Sequence, residues 1–137
     1  MASLTEKLLN ADVAKFEERD TAKVYSPFLT KAIGSKKKEY VTIKQMSQRQ
    51  YNEIVSSQYD KSGNVNPAKS FDMGIELLAE SIIDPNIKDE ALISHFGVST
   101  KYGLVEKLFG KDVQSLVEKC VELNQSDDEV VEEAVKN

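Results

Sequence analysis

The chain has little with which to do covalent chemistry. Its 137 residues include one histidine, one cysteine and no tryptophan. A lone thiol, Cys120, cannot close an internal disulfide, which suits a reducing compartment. It falls on an apolar helical stripe, where burial is the default. His95 belongs to a separate short helix, so the two cannot be read as a catalytic pair. Metal ligation finds no support either. Asp84-Pro85-Asn86-Ile87-Lys88-Asp89 begins like a calcium loop, but it lacks Gly at the sixth position and has His95, not Glu, at the twelfth. Gly110-Lys111-Asp112 lacks the preceding glycine and the Ser or Thr of a phosphate loop. No apolar run approaches a membrane span, and Met1 to Asn10 lacks the continuous apolar region of a signal peptide. The expectation is a non-enzymatic protein with no catalytic residue, no cofactor, no metal and no membrane partner.

What remains is an ordinary soluble composition, 40% hydrophobic and 30% charged, long enough to bury a core. One domain is expected over residues 1–124, with 125–137 as a separate acidic tail. The net charge of −5 is unevenly spread. Residues 1–67 carry 11 Lys or Arg against 8 Asp or Glu, and residues 68–137 carry 7 against 15. An acidic second half repels phosphate at long range and favours basic or apolar protein partners over nucleic acid, although such charges also serve plain solubility.

Punctuation divides the second half into a four-helix unit over 67–124. Asn66-Pro67 opens the first helix as N-cap and first helical residue, and Phe71, Ile75, Leu78 and Ile82 recur at helical spacing. Asp72, Glu76 and Glu80 line another face. Pro85 stops this helix and pushes Asp84 towards extended geometry. A second helix, about Lys88 to Phe96, carries Leu92 and Phe96. Gly97 follows in the left-handed position, letting Val98 fold back. Ser99 can cap a third helix bearing Leu104, Val105, Leu108 and Phe109, which Gly110 ends. Asp112 can cap a fourth, with Val113, Leu116, Val117, Cys120 and Leu123 inward. Helices this short must pack on one another to persist.

The first half reads differently. Ser3 and Glu6 form a capping box that opens an N-terminal helical arm over 1–20, with Leu4 and Leu8 inward. Such an arm is a frayed terminus, packs on its own chain or docks on a neighbouring subunit. Lys23 to Tyr25, Phe28 to Ile33 and Tyr40 to Ile43 are short and rich in β-branched and aromatic residues, so 21–44 reads as a small sheet. Gly34 to Lys38 reads as its hairpin loop. Ser47 and Gln50 cap a helix over 47–58, with Met46 stapled onto Tyr51 and with Ile54 and Val55 inward. The fold class expected is α+β: a mostly helical domain with an antiparallel sheet of two or three short strands near the N-terminus.

Leu92 to Phe109, two short helices meeting at Gly97, also looks like a helix-turn-helix. Leu92, Phe96 and Val98 satisfy its apolar positions, but Gly103 and Glu106 stand where apolar residues should pin a recognition helix. A DNA-binding regulator is the rival reading.

Leu77 to Leu92, containing Ser81-Ile82-Ile83-Asp84-Pro85-Asn86, then Phe96-Gly97-Val98-Ser99, Leu104 to Leu108 and Leu116 to Asn124, resembles the XkdN-like phage tail assembly chaperones. Tyr40 to Val55 looks like that family's preceding segment, so the resemblance spans roughly Tyr40 to Asn124. Gly110-Lys111-Asp112 and Gln125-Ser126 depart from the family's usual pattern without touching the apolar one. The resemblance implies a protein of the bacterial host cytoplasm, absent from the finished virion, that binds the phage or prophage tape measure protein. It also implies, for many relatives, a frameshifted longer form that recruits the tail tube protein. It leaves self-association as a homo-oligomer open, and a structural tail component is a third alternative. Within the tail, Val130, Val131 and Val135 form a short stripe after a capping pair, Ser126 and Glu129. These valines are the expected partner-binding residues.

Overall fold

The computed structural model describes residues 2–125. Val130, Val131 and Val135, the partner-binding residues expected from the tail, lie outside the described residues. The N-terminal arm forms two short helices, α1 (Leu4–Leu9) and α2 (Ala14–Glu17). Ser3 caps α1 by accepting from the Glu6 amide, 3.2 Å away. The inward setting expected for Leu4 and Leu8 is not found. Every residue from Ala2 to Asp20 is exposed, because no other described element packs over the arm's apolar stripe.

Strand β1 (Thr21–Tyr25) pairs antiparallel with β2 (Tyr40–Lys44), from Thr21 opposite Lys44 to Tyr25 opposite Tyr40. Between them the sequence reading fails. Phe28 to Ile33, expected as a strand, lies in helix α3 (Pro27–Ala32) and its C-cap, so Gly34 to Lys38 is not a simple hairpin loop. Ser26 caps α3 by accepting from the Leu29 amide, and Pro27 occupies a position where its missing amide hydrogen costs nothing. Helix α4 (Gln48–Ser56) follows, capped by Ser47 through the Gln50 amide. Met46 is buried, and Tyr51 is partly buried against the same core.

The longest helix, α5 (Pro67–Ser81), starts as expected: the Asn66 side chain accepts from the amides of Ala68 and Lys69. It ends before Ile82, which begins a third strand, β3 (Ile82–Asp84), antiparallel to β2. The sheet order is β1-β2-β3. Asp84 is extended before Pro85, as the proline demands. Helix α6 (Glu90–His95) is capped by Asp89 and closes on Gly97. The Gly97 amide donates to the Ser94 carbonyl and the Val98 amide to the Ile93 carbonyl, a Schellman closure that needs the observed φ of +68°. Thr100, not Ser99, caps α7 (Lys101–Phe109), accepting from the Gly103 amide. A single 3-10 turn (Gly110–Asp112) leads into α8 (Val113–Asn124).

Asp112 does not cap α8 with its side chain. Its carboxylate accepts from the Ser26 hydroxyl and the Phe28 amide, each at 2.8 Å, and so reinforces the start of α3 instead. Gly110, at φ +46°, sits against the Phe28 ring so closely that a β-carbon would lie 2.7 Å from it. At the other end of α8, buried Asn124 accepts from the Met46 amide and donates to the Cys120 carbonyl. The core lies between the sheet and helices α5, α7 and α8, with Val41, Ile43, Leu77, Leu78, Leu104, Phe109 and Leu116 almost fully buried. Cys120 is buried there, its sulfur 3.1 Å from the Ser81 hydroxyl, and burial raises its thiol pKa. That is a packing cysteine, since the thiolate a nucleophile requires is disfavoured.

Candidate functional site

Helix α5 is buried along a broad face, yet its acidic side does not close against the neighbouring helix. Asp72, Ile75 and Glu76 of α5 and Tyr102 and Glu106 of α7 line a groove of about 390 Å³. Ile75 is buried, while Tyr102 is 40% exposed. Phe71, expected on the inward stripe, is 52% exposed. It lies one helical turn before Ile75 and continues the apolar strip towards the start of α5. The stripe is thus real, but its first member is left uncovered by the fold.

The rim is acidic. Among the described residues no Lys or Arg forms an ion pair with Asp72, Glu76 or Glu106. The next carboxylate along α5 behaves differently. Glu80 pairs with Lys101 and, at 3.7 Å, with Lys88, tying α5 to α7 and to the loop before α6. The Lys101 hydrogen bond holds the Glu80 carboxyl below its ordinary pKa, against an opposing effect of burial, and the same bond raises Lys101. One end of the groove is therefore neutralised and fixed. Lys101 also lies over the Tyr102 ring, 5.3 Å from its centre, and beyond it Asp72, Glu76 and Glu106 stand around buried Ile75. Such a surface accepts an amphipathic helix with apolar anchors and basic flanks. The described residues contain no cluster of three or more side chains placed to hold a metal ion.

The family model of the phage XkdN-like tail assembly chaperone protein matches residues 5–136. The chain belongs to that family. The match extends beyond the Tyr40 to Asn124 stretch that carries the resemblance in sequence, taking in the arm and most of the tail. Among solved structures, the crystal structure of the protein yqbn is similar, with a TM-score of 0.55 and 14% identity. That likeness covers 79% of this chain and 88% of that one, and it concerns the fold alone. No curated protein matches. In this XkdN-like chaperone, no described helix is long and apolar enough to cross a membrane.

The groove residues divide by how visible they are in sequence. Asp72 and Glu76 are legible as a polar face of α5. Tyr102 and Glu106 are not, because their relation to α5 depends on the crossing of two helices some thirty residues apart. The exposure of Phe71 is equally a matter of packing. An apolar residue at the end of an otherwise buried stripe, next to Asp72, is the one local sign of it.

Proposed function

We propose that this tail assembly chaperone binds the tape measure protein of its phage or prophage during tail assembly, without catalysing a reaction, and that α5 and α7 form the contact. The observation that carries this reading is the groove of Ile75 and Tyr102 bordered by Asp72, Glu76 and Glu106, with exposed Phe71 one turn before Ile75 on α5. A long, helical, apolar-rich client aggregates unless its stripes are covered, and a small domain with such a groove covers them segment by segment. Apolar anchors contribute roughly 25 cal/mol per Å² of area buried. The carboxylates select basic flanks and speed encounter more than they tighten the complex. The protein would act in the host cytoplasm and leave before the virion is complete, with a frameshifted longer form bringing in the tail tube protein.

The test is co-expression with the neighbouring tail genes followed by affinity capture of the chaperone. Wild type should retain the tape measure protein in the soluble fraction and co-purify with it. The double variant Glu76→Lys/Tyr102→Ala, altered only at the groove's edge, should lose most of the captured client while remaining soluble itself. Equal capture by both proteins would remove α5 and α7 from the contact. Capture of DNA in a sequence-specific complex at physiological salt, with no tape measure protein, would instead favour the regulator.

A further inference from the structure

The N-terminal arm carries more apolar surface than the other described residues cover. Leu9 is 81% exposed, Leu4 72%, Val13 69% and Phe16 65%. Leu4 and Leu8 are one turn apart on α1, so the exposure is a stripe and not a scatter. Among the described residues, the arm's hydrogen bonds to the rest of the chain lie where it ends. The Asp20 amide donates to the Gln45 side chain, and the Gln45 amide donates to the Asp20 carbonyl. Between Ala2 and Asp20 there are five acids and three basic residues.

The same molecule holds a cleft of complementary character. Pro27, Phe28 and Ala32 of α3 form its apolar wall, and Lys31 and Lys111 stand at its rim, around a volume of about 570 Å³. Its shape is well determined: Asp112 holds the first turn of α3, and the Phe28 ring rests on Gly110. Apolar walls with a few charged groups are the usual makings of a binding cleft, and the volume lies within the common range of roughly 300–1,000 Å³. Glu17 and Glu18, which follow Phe16, are opposite in charge to Lys31 and Lys111. Lys15 precedes Phe16 and pairs with Glu18 at 3.3 Å on the exposed surface, a contact that Lys31 or Lys111 would replace or share.

The arm and the cleft lie at opposite ends of β1. The arm enters the sheet at Thr21, opposite Lys44, whereas α3 begins just beyond Tyr25. At ~3.3 Å per residue, the five residues of β1 separate them by about 15 Å. We propose that the arm of one copy docks in the α3 cleft of a second copy, with Phe16 and its neighbouring leucines against Phe28 and Ala32 and with Glu17 and Glu18 meeting Lys31 and Lys111. Two different surfaces meet in this contact, so it is head-to-tail. Repetition then closes a ring or extends a filament.

Native mass of the full chain, followed by light scattering over rising concentration, tests this with two variants that change exposed residues. Leu8→Ser/Phe16→Ser disables the arm and leaves the cleft intact. Lys31→Glu/Lys111→Glu does the reverse. Wild type should rise above monomer mass, and each variant alone should stay monomeric. An equimolar mixture of the two variants should return to dimer mass and go no further, because it contains one working arm–cleft pair. A disulfide between Phe16→Cys on one copy and Lys111→Cys on another, formed on mild oxidation, is the second expected readout. Monomeric wild type, association of the arm variant, or undiminished association of the cleft variant would each overturn the proposal. So would monomeric wild type that floats with anionic vesicles through the arm, which would assign the leucines to a lipid surface. Failure of client capture with self-association intact would count against the groove reading alone.

Discussion

At Gly97 a single residue decides whether α6 and α7 can be joined. The backbone there has φ +68°, and the two closing amide bonds run from Gly97 and Val98. A β-carbon would meet no neighbouring atom, so the cost of substitution is conformational and not steric. A non-glycine residue in this region costs on the order of 1 kcal/mol, and a branched one more. Gly97→Val should therefore lower the thermal midpoint clearly, while Ser94→Ala, on the exposed side of α6, should leave it nearly unchanged. Thermal unfolding of the two variants followed by circular dichroism checks this. Equal midpoints for Gly97→Val and wild type would contradict the Schellman closure. Gly97 was legible from sequence because the need for φ > 0 is local. The role of Asp112 was not, since its partners Ser26 and Phe28 lie more than eighty residues away.

Between elements, local signals compete with pairing partners the sequence does not display. Phe28 to Ile33 has the composition of a strand, yet Ser26-Pro27 is a helix start and Asp112 reinforces it. The capping chemistry outweighs β-propensity over so short a segment. Ile82 and Ile83 read as the continuation of α5, and only the pairing of Ile82 with Ile43 and of Asp84 with Thr42 makes this stretch β3. By contrast, the starts of α4 and α5 and the inward stripe of α8 follow directly from caps and periodicity. The tie between α5 and α7 through Glu80 and Lys101 has a pH signature. Glu80 titrates below its ordinary 4.5 in the folded chain, so its contribution is present above that value and lost as the pH falls through the lower folded one. Lys101 titrates above 10.5, so its share is complete below 10.5 and lost as the pH rises through the raised value. Glu80→Gln should cost about 1 kcal/mol or less between these limits, and its deficit against wild type should shrink at both extremes. Thermal midpoints measured across pH for the two proteins test it; a deficit that persists unchanged in acid would assign the loss to packing.

For the whole molecule, the charge asymmetry visible in sequence becomes a division of surfaces. The acidic second half supplies the carboxylates around Ile75 and Tyr102, and the first half supplies the exposed arm and Lys31 of the α3 cleft. Fold class was readable because caps and apolar periodicity are written locally. The groove was readable only as a requirement that packed helices leave one somewhere, because Phe71 and Tyr102 become exposed through helix crossing. A client helix in that groove should be reachable from Tyr102 and out of reach of Tyr40, whose ring lies 5.9 Å from Tyr25 on the strands β1 and β2. A photoreactive phenylalanine analogue placed at position 102, and separately at position 40, in the full chain co-expressed with the tail genes reads this directly. Irradiation should join the tape measure protein to position 102 and not to position 40. Cross-links at position 40 alone, or none to the tape measure protein from either site, would contradict binding through α5 and α7.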